Sequence, residues 1–254
     1  MVDLSGRAVL VTGGTKGIGA VIARAFLAAG AEVAVSARNE PAAPPAAGGR
    51  EARFLAADIR DATAAAEMVE KAAGLLGGRL DVLVNNAGGS PDADSATVSP
   101  RFVERIVQLN LLAPFYVAQP ANKIMQAQET GGSIINIGSV SAVDPQPGTA
   151  AYTAAKAGLL AFTKALALEW APKVRINHIT TGLVLTEAAA HNYGADGGAA
   201  TSALIPMERM ADPQDVANAC LYLAGDLSSY VTGADLAVHG GGEVPARYVV
   251  KQKG

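Results

Sequence analysis

A glycine-rich turn near the N-terminus limits the folds open to this chain more than any other stretch. The turn, TGGTKGIG at residues 12–19, follows an apolar run at 7–12 and leads into an apolar helical pattern at 17–29. A second apolar run at 31–37 completes the order of a dinucleotide-binding unit. In such a unit, the N-terminus of the helix lies against the pyrophosphate of the bound dinucleotide. The glycine spacing differs from the general GxGxxG fingerprint, so an ordinary glycine-rich turn is the alternative.

The rest of the chain continues this alternation of strands and helices. Apolar runs of strand length recur at 52–57, 80–84, 133–138, 174–179 and 234–238. Helical patterns lie between most of them, at 61–76, 100–118, 150–170 and 213–225. This alternation, without an internal repeat or linker, predicts an α/β fold. We expect a Rossmann-like, doubly wound, seven-stranded parallel sheet with helices on both faces, in a single domain over residues 1–254.

Two segments are expected to lie outside these elements. Residues 39–50 contain three prolines and two adjacent glycines, which predicts that no helix forms there. Residues 187–211 begin with small residues that show no firm helical period, and we expect a mobile lid over a substrate. Within this lid, His191 and Tyr193 are candidate substrate contacts.

The composition excludes several classes of function. A net charge of −3 over 254 residues, with acids and bases interspersed, gives no electrostatic footprint for nucleic acid. No apolar run approaches the roughly 18 residues of a membrane helix, and no signal pattern is seen at the N-terminus, so a cytoplasmic protein is expected. One cysteine, Cys220, and three histidines without ligand spacing predict neither a disulfide framework nor a metal site.

Residues 139–156, SVSAVDPQPGTAAYTAAK, carry the groups best suited to proton transfer. Ser139 follows the predicted strand at 133–138, at the end where open α/β sheets bind their ligands. Tyr152 and Lys156 are four residues apart on a predicted helix and therefore share one face. A hydroxyl, a phenol and an ammonium meeting there predict proton transfer to a carbonyl oxygen. Surface residues at helical spacing are the alternative.

Two further polar positions are predicted near this edge of the sheet. NNAGG, Asn85 to Gly89, ends the strand at 80–84 and is small enough for a ligand to lie against the backbone. Asn110 interrupts an apolar helical run, and a buried asparagine must be hydrogen-bonded. It is therefore either a structural bridge or part of a polar site.

Together these motifs resemble the short-chain dehydrogenase/reductase family over essentially the whole chain. The resemblance rests on TGGTKGIG at 12–19, Asp58, NNAG at 85–88, Asn110, Ser139, YTAAK at 152–156 and the stretch Gly182 to Thr186. The chain is similar to single-domain oxidoreductases of this family, among them the 3-oxoacyl carrier-protein reductases. The resemblance implies hydride transfer between a nicotinamide cofactor and a small-molecule carbonyl or alcohol, and a homotetramer built by two-fold contacts.

The resemblance also implies roles for individual residues. Tyr152 would be the general acid in carbonyl reduction and the base in alcohol oxidation, with its pKa lowered by Lys156. Ser139 would hold the substrate oxygen, and Asn110 would position a water that links Lys156 to solvent. The residues it assigns to the cofactor are Thr12, Gly13, Thr15, Lys16, Gly17, Ile18, Gly19, Ser36, Arg38, Asp58, Ile59, Asn85, Ala87, Gly88, Tyr152, Lys156, Gly182, Val184 and Thr186. Thr181 departs from the family's usual proline, which predicts a looser loop under the nicotinamide.

The end of the second strand favours NADP(H) over NAD(H). An NAD enzyme of this fold places an acid about 20 residues beyond the glycine turn, where this chain has Ser36 and Ala37. Arg38 follows them, and with Lys16 it would bind a 2′-phosphate. If both cations are only solvated surface charges, an NAD-dependent alcohol dehydrogenase is the alternative.

A non-catalytic protein that senses NADP is the alternative of another class, although the four intact catalytic side chains argue against it. The substrate itself is not predicted beyond a carbonyl or alcohol. A carrier-protein partner is acidic and favours basic residues beside the entrance, where the sequence offers Lys123 and Lys173 but also Glu129.

Overall fold

A seven-stranded parallel sheet organises the chain, as predicted. The computed structural model describes residues 2–187, 196–242 and 244. The strands of this sheet are β1 (Ala8–Thr12), β2 (Glu32–Ala37), β5 (Arg53–Ala56), β6 (Val82–Asn85), β7 (Gly132–Ile137), β8 (Val174–Thr181) and β9 (Asp235–Val238), while β3 (Ala46–Ala47) and β4 (Arg50–Glu51) form a separate antiparallel pair. The order across the sheet is β5-β2-β1-β6-β7-β8-β9, and each neighbouring pair is parallel.

Helices cover both faces of the sheet. They are α1 (Gly17–Ala28), α2 (Ala62–Leu75), α3 (Pro100–Val107), α4 (Ala113–Ala127), α5 (Ala150–Trp170), the short α6 (Ala199–Ser202) and α7 (Pro213–Ala224). On one face α1 and α7 pack against Val9 and Val11. On the other, α2, α4 and α5 pack against Ala8 and Leu10. Successive residues of β1 thus enter opposite cores, which is why its sequence is apolar throughout.

The order of the strands reverses at β1. From β1 the chain proceeds outward to β2 and β5, then crosses back to β6 on the other side of β1. Ligands of doubly wound sheets bind at the carboxyl ends of the strands beside such a reversal. The glycine turn after β1 and the polar segments after β6 and β7 all begin at this edge, so the fold brings the predicted cofactor and catalytic residues together.

The helix predicted over residues 100–118 differs from the observed one. It consists of α3, a π-helical turn at Gln108–Leu112, and α4, which continues to Ala127 through Pro120. Proline normally ends or kinks a helix, but Ala121 and Met125 beyond it are fully buried in the core. We attribute the continuation of α4 to this packing. The π turn is of the kind that is frequent at functional sites, and it holds Asn110.

The other predicted segments follow from local chemistry. Residues 39–50 contain no helix, as expected, and α1 ends before Gly30, whose φ of +92° favours glycine. Asp212 caps α7 in a capping box with Asp215. In the predicted lid, the candidate contacts His191 and Tyr193 lie outside the described residues. No helix in the described part of the chain is long and apolar enough to span a membrane.

Candidate active site

Lys156 lies at the centre of the site and is buried on the inner face of α5. Its ammonium donates a hydrogen bond of 2.8 Å to the carbonyl of Ile137, the last residue of β7. The same nitrogen lies 5.7 Å from the centroid of the Tyr152 ring, one helical turn earlier. Burial lowers the pKa of Lys156 from 10.5 to about 8. The side chain therefore keeps its charge at neutral pH but loses it in mildly alkaline solution.

Ser139 and Tyr152 meet above this lysine. A hydrogen bond joins their side chains, and Ser139 Oγ also accepts the amide of Ser141 at 3.2 Å, which caps a short 3₁₀ turn. Burial raises the pKa of Tyr152 above its usual value of 10, although the hydrogen bond to Ser139 opposes that rise. The net shift is opposite to the lowering expected from Lys156, because desolvation has the largest effect. The phenol is neutral and is suited to donate a proton.

Asn110 joins the π turn to the loop after β6. Its side-chain amide donates to the carbonyls of Gly89 and Ile106 at 3.0 and 2.9 Å, and its oxygen accepts the Gly89 amide at 2.8 Å. A Cβ on Gly88 would lie 2.8 Å from Asn110 Oδ1 and 3.3 Å from Lys156 Nζ. Asn110 thus bridges the two segments beside the lysine, and Gly88 fits closely between the amide and the lysine.

The glycine turn is built for the close approach of a ligand. Gly13 has a φ of +62°, and a Cβ on Gly19 would overlap the Gly13 carbonyl. Asn86 holds the turn by donating to the carbonyls of Thr12 and Gly13 at 3.0 and 3.1 Å. The sequence analysis did not assign a role to Asn86, although it lies within the NNAG motif. A turn with glycine at its points of closest backbone approach, at the N-terminus of α1, is the cradle that a pyrophosphate requires.

The stretch after β8 forms the opposite side of this cleft. A Cβ on Gly17 would lie 3.9 Å from Cγ2 of Thr186, so the two motifs face each other. Thr15 and Ile18 are partly buried in the turn. Val184, buried, is bridged to Ala211 at the end of the predicted lid.

Thr181 stands where the resembled family usually has proline, and its side chain is hydrogen-bonded within the protein. Its hydroxyl donates to the carbonyl of Gly138 at 2.8 Å. The next amide, that of Gly182, donates to the carbonyl of Val238 at 3.0 Å. A Cβ on Gly182 would lie 2.8 Å from Cα of His239. These contacts restrain the segment at the end of β8, and the looser loop expected without proline stays a prediction.

The end of β2 presents a cation and no carboxylate to the cleft. Ser36 is buried at 1% exposure, so the predicted contact between its side chain and a cofactor is disfavoured. Arg38 is exposed, and its charge contributes to lowering the pKa of Asp58 at the neighbouring strand end. Glu32 begins β2 at the opposite end and pairs with Arg53 at 3.2 Å. Arg38 and Lys16, the two residues predicted to bind a 2′-phosphate, are both exposed.

Three predicted cofactor residues have partners within the protein. Asp58 is held by Arg60, whose Nε donates to it at 2.8 Å, and this ion pair is the main cause that lowers the pKa of Asp58. Asn85 is buried and donates to Asn136 Oδ1 at 2.9 Å. Ile59 is buried in the core beneath α2. The side chains of Asn85 and Ile59 therefore shape the cleft from below.

Comparisons with known proteins find relatives along nearly the whole chain. The protein-family model described as enoyl-(acyl carrier protein) reductase matches residues 13–243. The chain is 38% identical over 246 residues to 3beta-hydroxysteroid dehydrogenase 1 of Eggerthella lenta, covering 94% of each chain. It is 33% identical to the 3-oxoacyl-(acyl-carrier-protein) reductase FabG of Rickettsia bellii, covering 95% of this chain and 98% of that protein.

A solved structure shows the same fold. The crystal structure of a short-chain type dehydrogenase/reductase from Mycobacterium marinum superposes with a TM-score of 0.85 at 32% identity, covering 96% of this chain and 98% of that chain. The likeness to relatives of such different names extends over nearly the whole length of each. It identifies the scaffold and the reaction class and leaves the substrate open.

Proposed function

This chain belongs to the short-chain dehydrogenase/reductase family, whose members are oxidoreductases of alcohol and carbonyl groups, and we propose that it is an NADP-dependent enzyme that interconverts a ketone and a secondary alcohol. The observation that carries the proposal is the hydrogen bond between Tyr152 and Ser139 above the buried Lys156, at the mouth of a glycine-lined cleft. A protein that only senses a cofactor has no need of this arrangement.

The side chains support carbonyl reduction as follows. Ser139 donates a hydrogen bond to the substrate oxygen, and Tyr152 delivers a proton to that oxygen as it becomes an alkoxide. The cation of Lys156 stabilises the phenolate left behind. The bound nicotinamide supplies the hydride, and Thr12, Gly13 and the N-terminus of α1 would hold its pyrophosphate. We further propose that Asn110 positions a water through which the proton is replaced.

Arg38 is the residue that we propose selects NADP(H). Arg38→Ala is expected to lower kcat/KM for NADPH by about tenfold or more, since a charge-assisted hydrogen bond contributes about 1.5–3 kcal/mol, and to leave kcat/KM for NADH nearly unchanged. The measurement is kcat/KM with each cofactor. Arg24→Ala, which removes an exposed cation two turns into α1, is the matched control. The assignment is contradicted if the wild type prefers NADH, or if Arg38→Ala leaves the ratio of kcat/KM for NADPH to kcat/KM for NADH unchanged.

The charge of the loops around the substrate entrance favours an uncharged substrate. These loops follow β6, β7 and β8, and their described parts span residues 86–98, 139–149, 182–187 and 196–212. Their acidic residues are Asp92, Asp94, Asp144, Glu187, Asp196, Glu208 and Asp212. In the same described parts the one basic residue is Arg209, which pairs with Asp215 at 2.7 Å. A substrate with phosphate groups would be repelled there.

Exposed apolar side chains in the same loops also favour an uncharged substrate. Val143, Leu185 and Met207 are exposed by 59%, 44% and 63%, which is apolar surface that a substrate would cover. We therefore propose a neutral, largely apolar ketone or secondary alcohol. A 3-oxoacyl thioester, the candidate indicated by the resemblance to carrier-protein reductases, carries its acyl group on a phosphorylated pantetheine arm and is the second choice.

A substrate panel tests the function directly. Wild-type protein is assayed in both directions with both cofactors, using a neutral steroid ketone, a ketose and acetoacetyl-CoA. We expect kcat/KM with NADPH to be higher for a neutral ketone than for the thioester. Asp92 lies beside Gly148 in the proposed entrance, so Asp92→Asn should raise kcat/KM for the thioester and leave that for the neutral ketone unchanged. Turnover confined to acetoacetyl-CoA contradicts the substrate class, and no turnover of any carbonyl contradicts the function.

Residues 187–211 form the proposed lid, and the described part of it is tied to the C-terminal loop. The amide of Met207 donates to the carbonyl of Gly240 at 3.1 Å, and the amide of Val244 donates to the carbonyl of Leu204 at 2.7 Å. These two bonds would hold the described part of the lid beside the active-site cleft. A cytoplasmic location is also part of the proposal and rests on the sequence pattern alone.

We propose a homotetramer in which the outer face of α4 and α5 contacts a second subunit. Leu168 on α5 is 87% exposed, whereas Phe162 packs against Phe115 of α4 with ring centroids 5.5 Å apart. Leu168→Glu is expected to shift the protein to a smaller species in sedimentation equilibrium at micromolar concentration, because it would bury a charge in the interface. Leu75→Glu, on an exposed end of α2, is the control. A monomeric wild type contradicts the proposal.

A further inference from the structure

His178 is a buried histidine that the proposed chemistry does not use. It lies within β8, is 0% exposed, and its Nδ1 is 2.8 Å from Oδ1 of Asp235 on the neighbouring strand β9. Thr180 donates to the same carboxylate oxygen at 2.7 Å. The carboxylate can only accept, so Nδ1 carries the proton and the ring is fixed in one orientation. The side chain of Asp235 remains 26% exposed.

The opposite edge of the ring lies against the strand that leads to the catalytic serine. His178 Nε2 is buried and has no hydrogen-bond partner among the described residues. A Cβ on Gly138 would overlap Cε1 and Nε2 of this ring. Residue 138 is therefore restricted to glycine by the imidazole itself. Gly138 lies between Ile137, whose carbonyl binds Lys156, and Ser139.

Gly138 is held on its other sides by β8. Its amide donates to the carbonyl of Ile179 at 2.8 Å, and its carbonyl accepts the hydroxyl of Thr181 at 2.8 Å. Together with the imidazole, these bonds restrain the peptide unit that connects the Lys156 site to Ser139. A small shift of this unit would displace both Ser139 Oγ and the carbonyl that orients Lys156.

The ring is neutral in this position. Burial lowers the pKa of His178, and the charges of Lys156 and Lys164 lower it further, while Asp235 opposes these effects. A neutral ring with Nδ1 protonated presents only a lone pair at Nε2. That edge can approach the Cα of Gly138 without presenting a donor that would require a partner.

We propose that His178, oriented by Asp235, is a positioning residue that fixes Gly138 and through it Ser139 and the Ile137 carbonyl. The inference rests on the proposed function, because it concerns the same catalytic side chains. The pair does not touch substrate. It determines how accurately the hydroxyl and the ammonium are placed, and displacements of about 1 Å in such groups can lower rates about a hundredfold.

A double-mutant cycle tests the steric coupling. Gly138→Ala alone is expected to lower kcat by about tenfold or more, with the dissociation constant for NADPH nearly unchanged, because the new methyl group overlaps the ring. His178→Ala removes the ring and should restore activity when combined with Gly138→Ala, so that the double variant is at least about tenfold more active than Gly138→Ala. Wild-type kcat in Gly138→Ala, or no recovery in the double variant, would overturn the inference.

A second experiment covers the case in which Gly138→Ala does not fold. It combines a spectroscopic readout, which needs no turnover, with kcat of two Asp235 variants. In ¹⁵N NMR spectra, the imidazole of His178, assigned by its loss in His178→Ala, is expected to show the Nδ1-protonated neutral form at pH 7 and above, because burial lowers its pKa. Asp235→Asn keeps an acceptor and should retain that form and most of kcat, whereas Asp235→Ala should lose both. A ring that is protonated at neutral pH, or equal kcat in the two variants, overturns the inference. Absence of turnover in the wild type contradicts only the proposed function.

Discussion

Replacing Tyr152 with phenylalanine is expected to lower kcat for ketone reduction by a hundredfold or more. The change keeps the ring over Lys156 Nζ, 5.7 Å from its centroid, and removes only the hydroxyl bonded to Ser139. General acid catalysis contributes about 10²–10⁴-fold to a rate. Because burial raises the pKa of Tyr152, the wild-type phenol is protonated at neutral pH, and its removal eliminates a donor that is always available.

The controls for this variant separate catalysis from binding. The dissociation constant for NADPH should remain within about threefold of wild type, since the phenol contributes at most one hydrogen bond to the cofactor. Tyr222→Phe, at a partly exposed tyrosine of α7, should leave kcat unchanged. If Tyr152→Phe turns over its best ketone at the wild-type rate, the assignment of the proton donor is wrong.

Replacing Lys156 with methionine is expected to abolish turnover and to stabilise the fold. At pH 7 the buried ammonium lowers stability, because a pKa of about 8 against an ordinary 10.5 corresponds to about 3 kcal/mol. Methionine removes that cost but leaves the carbonyl of Ile137 without its donor, which costs about 1–3 kcal/mol. We expect a net gain in the free energy of unfolding of up to about 2 kcal/mol, measured by urea denaturation, together with a loss of kcat of a hundredfold or more.

The pH dependence of stability identifies the lysine as the cause. Between pH 8 and 10.5 the unfolded lysine still binds its proton while the folded one has lost it, so stability from this group rises with pH across that window. The rise should be present in the wild type and absent in Lys156→Met. Lys164→Met, on the exposed face of the same helix, should keep the rise. A wild type without it would contradict a buried charged lysine.

Most of the fold could be predicted from the alternation of apolar runs and helical patterns. Strands such as β1 are buried on both faces, and such strands have continuous apolar sequences. The ends of α1 and α7 were also predictable, from Gly30 and from Asp212 followed by Pro213. The π turn around Asn110 and the passage of α4 through Pro120 were not, because tertiary packing of α4 against the sheet outweighs local propensity there.

The candidate site could be predicted as a set of residues, but not in its energetics. Ser139, Tyr152 and Lys156 come together as expected, the first just after β7 and the other two on α5. The direction in which the pKa of Tyr152 shifts could not be predicted, since it depends on burial that no local pattern reports. The coupling of His178 to Gly138 is likewise invisible in the sequence, because the two residues are forty positions apart and meet only through the register of β7 and β8.

Transfer of label from the cofactor to the product is the most direct test of the account. Wild-type protein is incubated with NADPH carrying deuterium at the transferable position of the nicotinamide and with the best neutral ketone of the panel, and the product is analysed by mass spectrometry. The account predicts a secondary alcohol with one deuterium on its carbinol carbon, formed in equal amount to the NADPH consumed and greatly reduced in Tyr152→Phe. If no ketone in the panel yields a labelled alcohol with either cofactor, the account is contradicted.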